Sequence, residues 1–138
     1  MDYPFICQIS RLAGGDNLVY HAGFIWNVPV TIGGTSWKRE MPIESQIKEN
    51  LLEIRAMPEL TDCALTLVLY IMRKQMFLDG NKRTAMLAGN AEMLSSGCGI
   101  ISVSIEKRGD FTMLLINYHE SGDMAEIKDF FMRAVSMG

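Results

Sequence analysis

Residues 75–86 read Gln-Met-Phe-Leu-Asp-Gly-Asn-Lys-Arg-Thr-Ala-Met, a short polar loop between two apolar stretches. Within it stand the groups that could do chemistry: Asp79, Asn81, Lys82 and Arg83, with Gly80 among them. Gly80 lets the backbone turn sharply and approach a ligand closely. The helix starting behind it would offer unpaired N–H groups and a partial positive charge, which together cradle an anion. Lys82 adds a mobile point charge and Arg83 a bidentate fork, both suited to phosphate. Asp79 opposes that trend, because a carboxylate beside a phosphate is repelled unless a cation sits between them. The combination is what a Mg²⁺-bridged nucleotide phosphate would ask for. An ordinary helix start has the same spacing, with Asp79 or Asn81 capping the first turn and Lys82 and Arg83 solvated. Spacing alone leaves both readings open.

The elements that must position this loop read mostly as helices. Ile43, Ile47, Leu51 and Ile54 form one stripe ending before Pro58. Residues 59–76 are apolar on nearly every face in the middle, the pattern of a helix surrounded by others. Met86, Leu87, Ala91 and Leu94 mark the helix after the loop, with Gly97 as its stop signal. Phe111, Leu114, Leu115 and Tyr118 mark another, closed by Gly122. Ile127, Phe130, Phe131, Ala134 and Val135 mark the last, opened by a carboxylate capping box of Asp123 and Glu126. Residues 23–38 carry β-branched and aromatic residues around Gly33-Gly34, which predicts a hairpin of residues 25–32 with 35–38. Ile101, Val103 and Ile105 alternate with serines as a short extended link, and residues 1–22 are ambiguous.

A chain of 138 residues, 49% apolar and 21% charged, has room for one domain with a real core, so residues 1–138 are read as a single domain. The formal charge of −3 argues against a nucleic-acid partner. The apolar run at residues 64–72 is far shorter than the roughly 20 residues of a membrane span, which excludes a membrane role for it. Cys7, Cys63 and Cys98 are far apart and odd in number, as expected of reduced thiols in the cytoplasm, and no secretory signal is expected at the N-terminus. The eleven methionines fall inside apolar stripes and read as core filler.

The loop resembles the signature of the Fic/Doc (Fido) family, His-x-Phe-x-Asp/Glu-Gly-Asn-Gly-Arg-x-x-Arg, with Phe77, Asp79, Gly80, Asn81 and Arg83 on their positions. Residues 30–37, Val-Thr-Ile-Gly-Gly-Thr-Ser-Trp, resemble the family's target-positioning flap, and residues 122–130 its C-terminal helix. The resemblance spans roughly residues 23–135 in order. It implies a mostly α, Fic-like helical bundle with a β-hairpin flap. It implies Asp79 as the Mg²⁺ ligand, Gly80, Asn81, Lys82 and Arg83 around the phosphates of ATP, and Gly33, Gly34, Thr35 and Trp37 in the flap. Family members transfer AMP, or phosphate in the Doc branch, to a protein hydroxyl. Lys82 matches the Doc branch, whose loop carries Lys where most members have the second Gly. The partners implied are a target protein, which the sequence does not name, and an antitoxin-like inhibitor; a homo-oligomer is compatible with the sequence.

The pattern breaks at two positions. The catalytic His position of the family is Gln75, whose amide cannot act as a base, and the final Arg is Met86. Three readings follow: a pseudoenzyme whose loop still binds phosphate or nucleotide; an active Mg²⁺-dependent AMP- or phosphotransferase in which Gln75 orients the target hydroxyl; and an interaction module working through the flap edge. His21 and His119 match no functional position and read as packing or surface residues. Residues 45–50 spell the family's autoinhibitory motif, but its Arg partner is Met86, so Ser45 and Glu49 read as the start of an amphipathic helix. Trp37 is the aromatic that could touch a target.

Overall fold

The computed structural model describes residues 1–14, 41–77 and 81–136. The expected hairpin at residues 25–38, with Gly33, Gly34, Thr35 and Trp37, lies outside them, as do His21, Asp79 and Gly80. The described elements are, in order, α1 Tyr3–Gly14, α2 Glu44–Arg55, α3 Leu60–Lys74, α4 Asn81–Ser95, β1 Ile100–Ile101, a 3₁₀ turn Ile105–Lys107, α5 Arg108–Ser121, α6 Ala125–Arg133 and β2 Val135–Ser136.

The central helix is α3. Ala64, Leu65, Leu67, Val68, Leu69, Ile71 and Met72 are all buried, so it is enclosed as its all-round apolar pattern predicts. The Glu59 carboxylate caps its start, accepting from the N–H groups of Thr61 and Asp62. On one side α2 contributes Ile47, Leu51 and Ile54. On another, α6 sets Ile127 and Phe131 against the core, and Phe111 of α5 stacks on Phe130 at 6.0 Å. Lys128 ties α6 to α3 by donating to Asp62 at 2.8 Å and to Thr66 at 2.9 Å.

Helix α4 departs from its expected face. Leu87 and Leu94 are exposed, and the buried positions are Asn81, Thr84, Ala85, Ala88, Gly89 and Met93. The cause is close packing: a Cβ on Gly89 would lie 2.1 Å from Val68 Cγ2, so α4 meets α3 through small residues. The stop at Gly97 is as expected. It adopts φ 71°, and the bonds Gly97 N–H to Leu94 O (3.2 Å) and Cys98 N–H to Met93 O (2.8 Å) form a Schellman motif.

Other expectations shift. The first residues form helix α1 rather than an ambiguous segment. The extended link at 101–105 shrinks to β1, which pairs antiparallel with β2, and Val135 leaves the last helix for that pair. The capping box at Asp123 and Glu126 is replaced by a tighter turn. Asp123 accepts from Ala125 N–H at 2.9 Å, and its own N–H donates to Ser121 Oγ. Among the described residues, no helix is long and apolar enough to cross a membrane.

Candidate functional site

Gln75 ends α3 in the left-handed conformation, φ 51° and ψ 46°, the only non-glycine with positive φ among the described residues. A side chain with a Cβ occupies that region at a cost, so the conformation persists because its surroundings hold it. Its amide nitrogen donates to Met72 O, and its carbonyl oxygen accepts from Asn81 Nδ2 at 3.3 Å. The next two residues, Met76 and Phe77, are fully buried and plug the end of the core.

Asn81, the first residue of α4, is buried with 5% exposure. Its amide faces back across the loop, accepting from Phe77 N–H at 3.1 Å and donating to Phe77 O at 2.8 Å. One side chain thus pairs with both backbone groups of Phe77 in the manner of a strand neighbour and also reaches Gln75. The loop's two ends are fastened to each other by this amide. Asn90, nine positions later on the same helix, does the same for Ile101, accepting its N–H at 2.7 Å and donating to its carbonyl at 3.1 Å.

Lys82 and Arg83 are exposed at the first turn of α4. Met86 is half-buried and packed against the core. The structure therefore brings together Gln75 and Asn81 and leaves Lys82 and Arg83 facing outward from the same helix start. Asp79 and Gly80, the implied metal ligand and turn residue, lie outside the described residues. Among the described residues no cluster of three His, Cys, Asp or Glu could hold a metal ion.

His119 on α5 is buried, 3% exposed. Burial pulls its pKa down to about 4, and the Arg73 and Lys82 charges push the same way. Its imidazole is neutral near pH 7 and close enough to feel the loop lysine. Arg73, in the last turn of α3, donates from Nε to Tyr118 O at 3.2 Å and from Nη2 to His119 O at 3.3 Å. It also lies over the Tyr118 ring at 5.9 Å. The guanidinium thereby neutralises the carbonyl end of α5, a favourable placement for a cation. Sequence reasoning missed Arg73, whose partners are 45 and 46 residues away. It also missed the left-handed turn, because Gln carries no signal for that conformation. Tyr118 completes the joint by donating its hydroxyl to Leu69 O at 3.0 Å.

No family model and no curated protein matches this sequence. Among solved structures, the chain is similar to the crystal structure of BepC, a VirB-translocated effector protein from Bartonella tribocorum with bound AMPPNP. The TM-score is 0.67 at 15% sequence identity, covering 98% of this chain and 74% of that chain. The fold is accordingly a mostly helical, Fic-like one with a small antiparallel strand pair.

Proposed function

We propose that this chain is a divergent Fic/Doc-type protein whose loop at residues 79–83 binds nucleotide phosphates and whose group transfer is lost through Gln75. The observation that carries the reading is the double anchorage of Gln75, to Met72 O on one side and to Asn81 on the other. A carboxamide tied in this way serves as a brace at the end of α3. It has no lone pair basic enough to take a proton from a hydroxyl, a loss worth on the order of 10² to 10⁴ in rate. His119 does not replace the missing base: a group with a pKa of about 4 is a poor proton acceptor from an alcohol.

The retained binding apparatus supports the other half of the reading. Lys82 and Arg83 stand exposed at a helix N-terminus, where backbone dipole and side-chain charge both favour a polyanion. The fold likeness to a protein with bound AMPPNP agrees with a nucleotide as the ligand. Met86 packs where the signature calls for a second Arg, so the proposed site has one fewer cation for the terminal phosphate. Asp79 would hold Mg²⁺, which when bound screens the charge between that carboxylate and the phosphates.

The test uses ATP labelled separately at the α and γ phosphates, presented with candidate protein acceptors to the natural chain and to Gln75→His. The expected result is calorimetric binding of Mg²⁺-ATP, weakened in Arg83→Ala, with no label transferred by the natural chain. Transfer by the natural chain that disappears in Asp79→Ala overturns the loss of activity and establishes the transferase. The label retained then tells AMP from phosphate transfer.

A further inference from the structure

Between α2, the C-terminal half of α3 and the turn joining α5 to α6 lies a cleft of about 330 Å³. That size falls within the roughly 300–1,000 Å³ of small-molecule sites. Its walls include Asn50, Tyr70, Arg73, Lys74, Gly122 and Met124, and none of the described residues lining it is a carboxylate. Neither Lys82 nor Arg83, the cations at the start of α4, is among the described residues lining it.

The donors of the cleft are set in place by the fold. Arg73 is fixed along one wall by its bonds to the end of α5. Gly122 permits that approach, since a Cβ there would lie 3.3 Å from the guanidinium, and its φ of 75° suits glycine. Lys74 forms no hydrogen bond or ion pair with any described residue. The Tyr70 hydroxyl accepts from Asn50 Nδ2 at 3.1 Å, and its own proton has no described acceptor. Burial raises the Tyr70 pKa, so that proton stays on the oxygen as a donor.

We propose that this cleft binds a small phosphomonoester. At neutral pH such a group carries close to two negative charges and three acceptor oxygens. Lys74 supplies the positive charge, Arg73 lies fixed on the adjoining wall, the Tyr70 hydroxyl donates to an oxygen, and Met124 with the aromatic wall receives the organic body. Half-buried cations facing a dianion are screened less than surface pairs, so each contact contributes more than on an open face.

Calorimetric titration with phenyl phosphate, inorganic phosphate and phenol tests the proposal. Phenyl phosphate is expected to bind, more tightly than inorganic phosphate and with affinity falling as salt rises, while phenol does not bind. Lys74→Gln is expected to weaken phenyl phosphate about tenfold or more, Lys74→Arg to retain most of the affinity, and Arg83→Ala to leave it unchanged. Absence of phenyl phosphate binding, insensitivity to both Lys74→Gln and Tyr70→Phe, or loss in Arg83→Ala overturns it. Should Lys74→Gln fail to fold, the side-chain amide resonances of Asn50 in the natural chain decide: they shift on adding phenyl phosphate, and fixed resonances overturn the assignment.

Discussion

Single residues at the loop carry more structural work than their chemistry first suggests. Asn81 stands on the phosphate-binding position of the signature, yet its amide is occupied with Phe77 and Gln75, so its contribution to stability is measurable without any ligand. Each buried hydrogen bond contributes about 1 kcal/mol net, and two to one backbone give Asn81→Ala a cost of about 2 kcal/mol. Urea unfolding checks this: a loss under about 0.5 kcal/mol would mean the pairing is not stabilising. Asn81→Asp is expected to cost more, because a carboxylate then faces the Phe77 carbonyl. His119 gives a second reading at this scale, through pH. Its folded pKa of about 4 lies below the usual His value near 6.5, so the unfolded chain binds the proton first as pH falls. Stability from this group is complete above about pH 6.5, declines between pH 6.5 and 4, and is level below that. The full span is roughly 3 kcal/mol. Chemical unfolding across that window should show the slope, and His119→Gln should flatten it.

At the scale of elements, the helices were legible and their faces less so. The stripes of α2, α3 and α6 point inward largely as their spacing predicts, with Ile47, Leu51 and Ile54 of α2 buried, whereas Ile43, expected in the same stripe, is the N-cap of α2 and is exposed. For α4 the visible leucines, Leu87 and Leu94, mislead, since the helix buries Ala85, Ala88 and Gly89 in order to approach α3. Small residues give almost no periodic signal, and their meaning depends on the neighbour they meet. Gly89→Ala makes the point testable. Helix propensity alone would favour alanine by about 1 kcal/mol, but the new methyl would collide with Val68, whose β-branched side chain has little freedom to yield. A net loss of about 1–3 kcal/mol is expected from overpacking, largely recovered when Val68→Ala is added. A double-mutant cycle by urea unfolding measures the coupling, and a stabilising Gly89→Ala would refute the close approach.

Across the whole molecule, the architecture was readable from the motif at residues 75–86 together with the helical periods, and the Fic-like fold follows from both. The candidate site was readable in composition and poorly readable in geometry. Gln75 and Asn81 interact through a left-handed turn that nothing in their residue types announces, and Arg73 serves a helix end 45 residues away. If the loop holds a nucleotide, the consequence extends to global stability, because a ligand that binds only the folded state stabilises it by mass action. At a hundredfold excess over Kd this is about 2.7 kcal/mol, which for a chain of 138 residues is a rise in Tm of roughly 9 °C. Mg²⁺-ATP is expected to produce a shift of this order, and ATP with a chelator a smaller one, since Asp79 then repels the phosphates unscreened. Arg83→Ala should remove most of the Mg²⁺-ATP shift, while Lys74→Gln should leave it intact, because Lys74 lines the cleft and Arg83 does not. A thermal scan of the natural chain and both variants separates the cases: a shift that survives Arg83→Ala but disappears in Lys74→Gln would put the nucleotide in the cleft and end the loop reading.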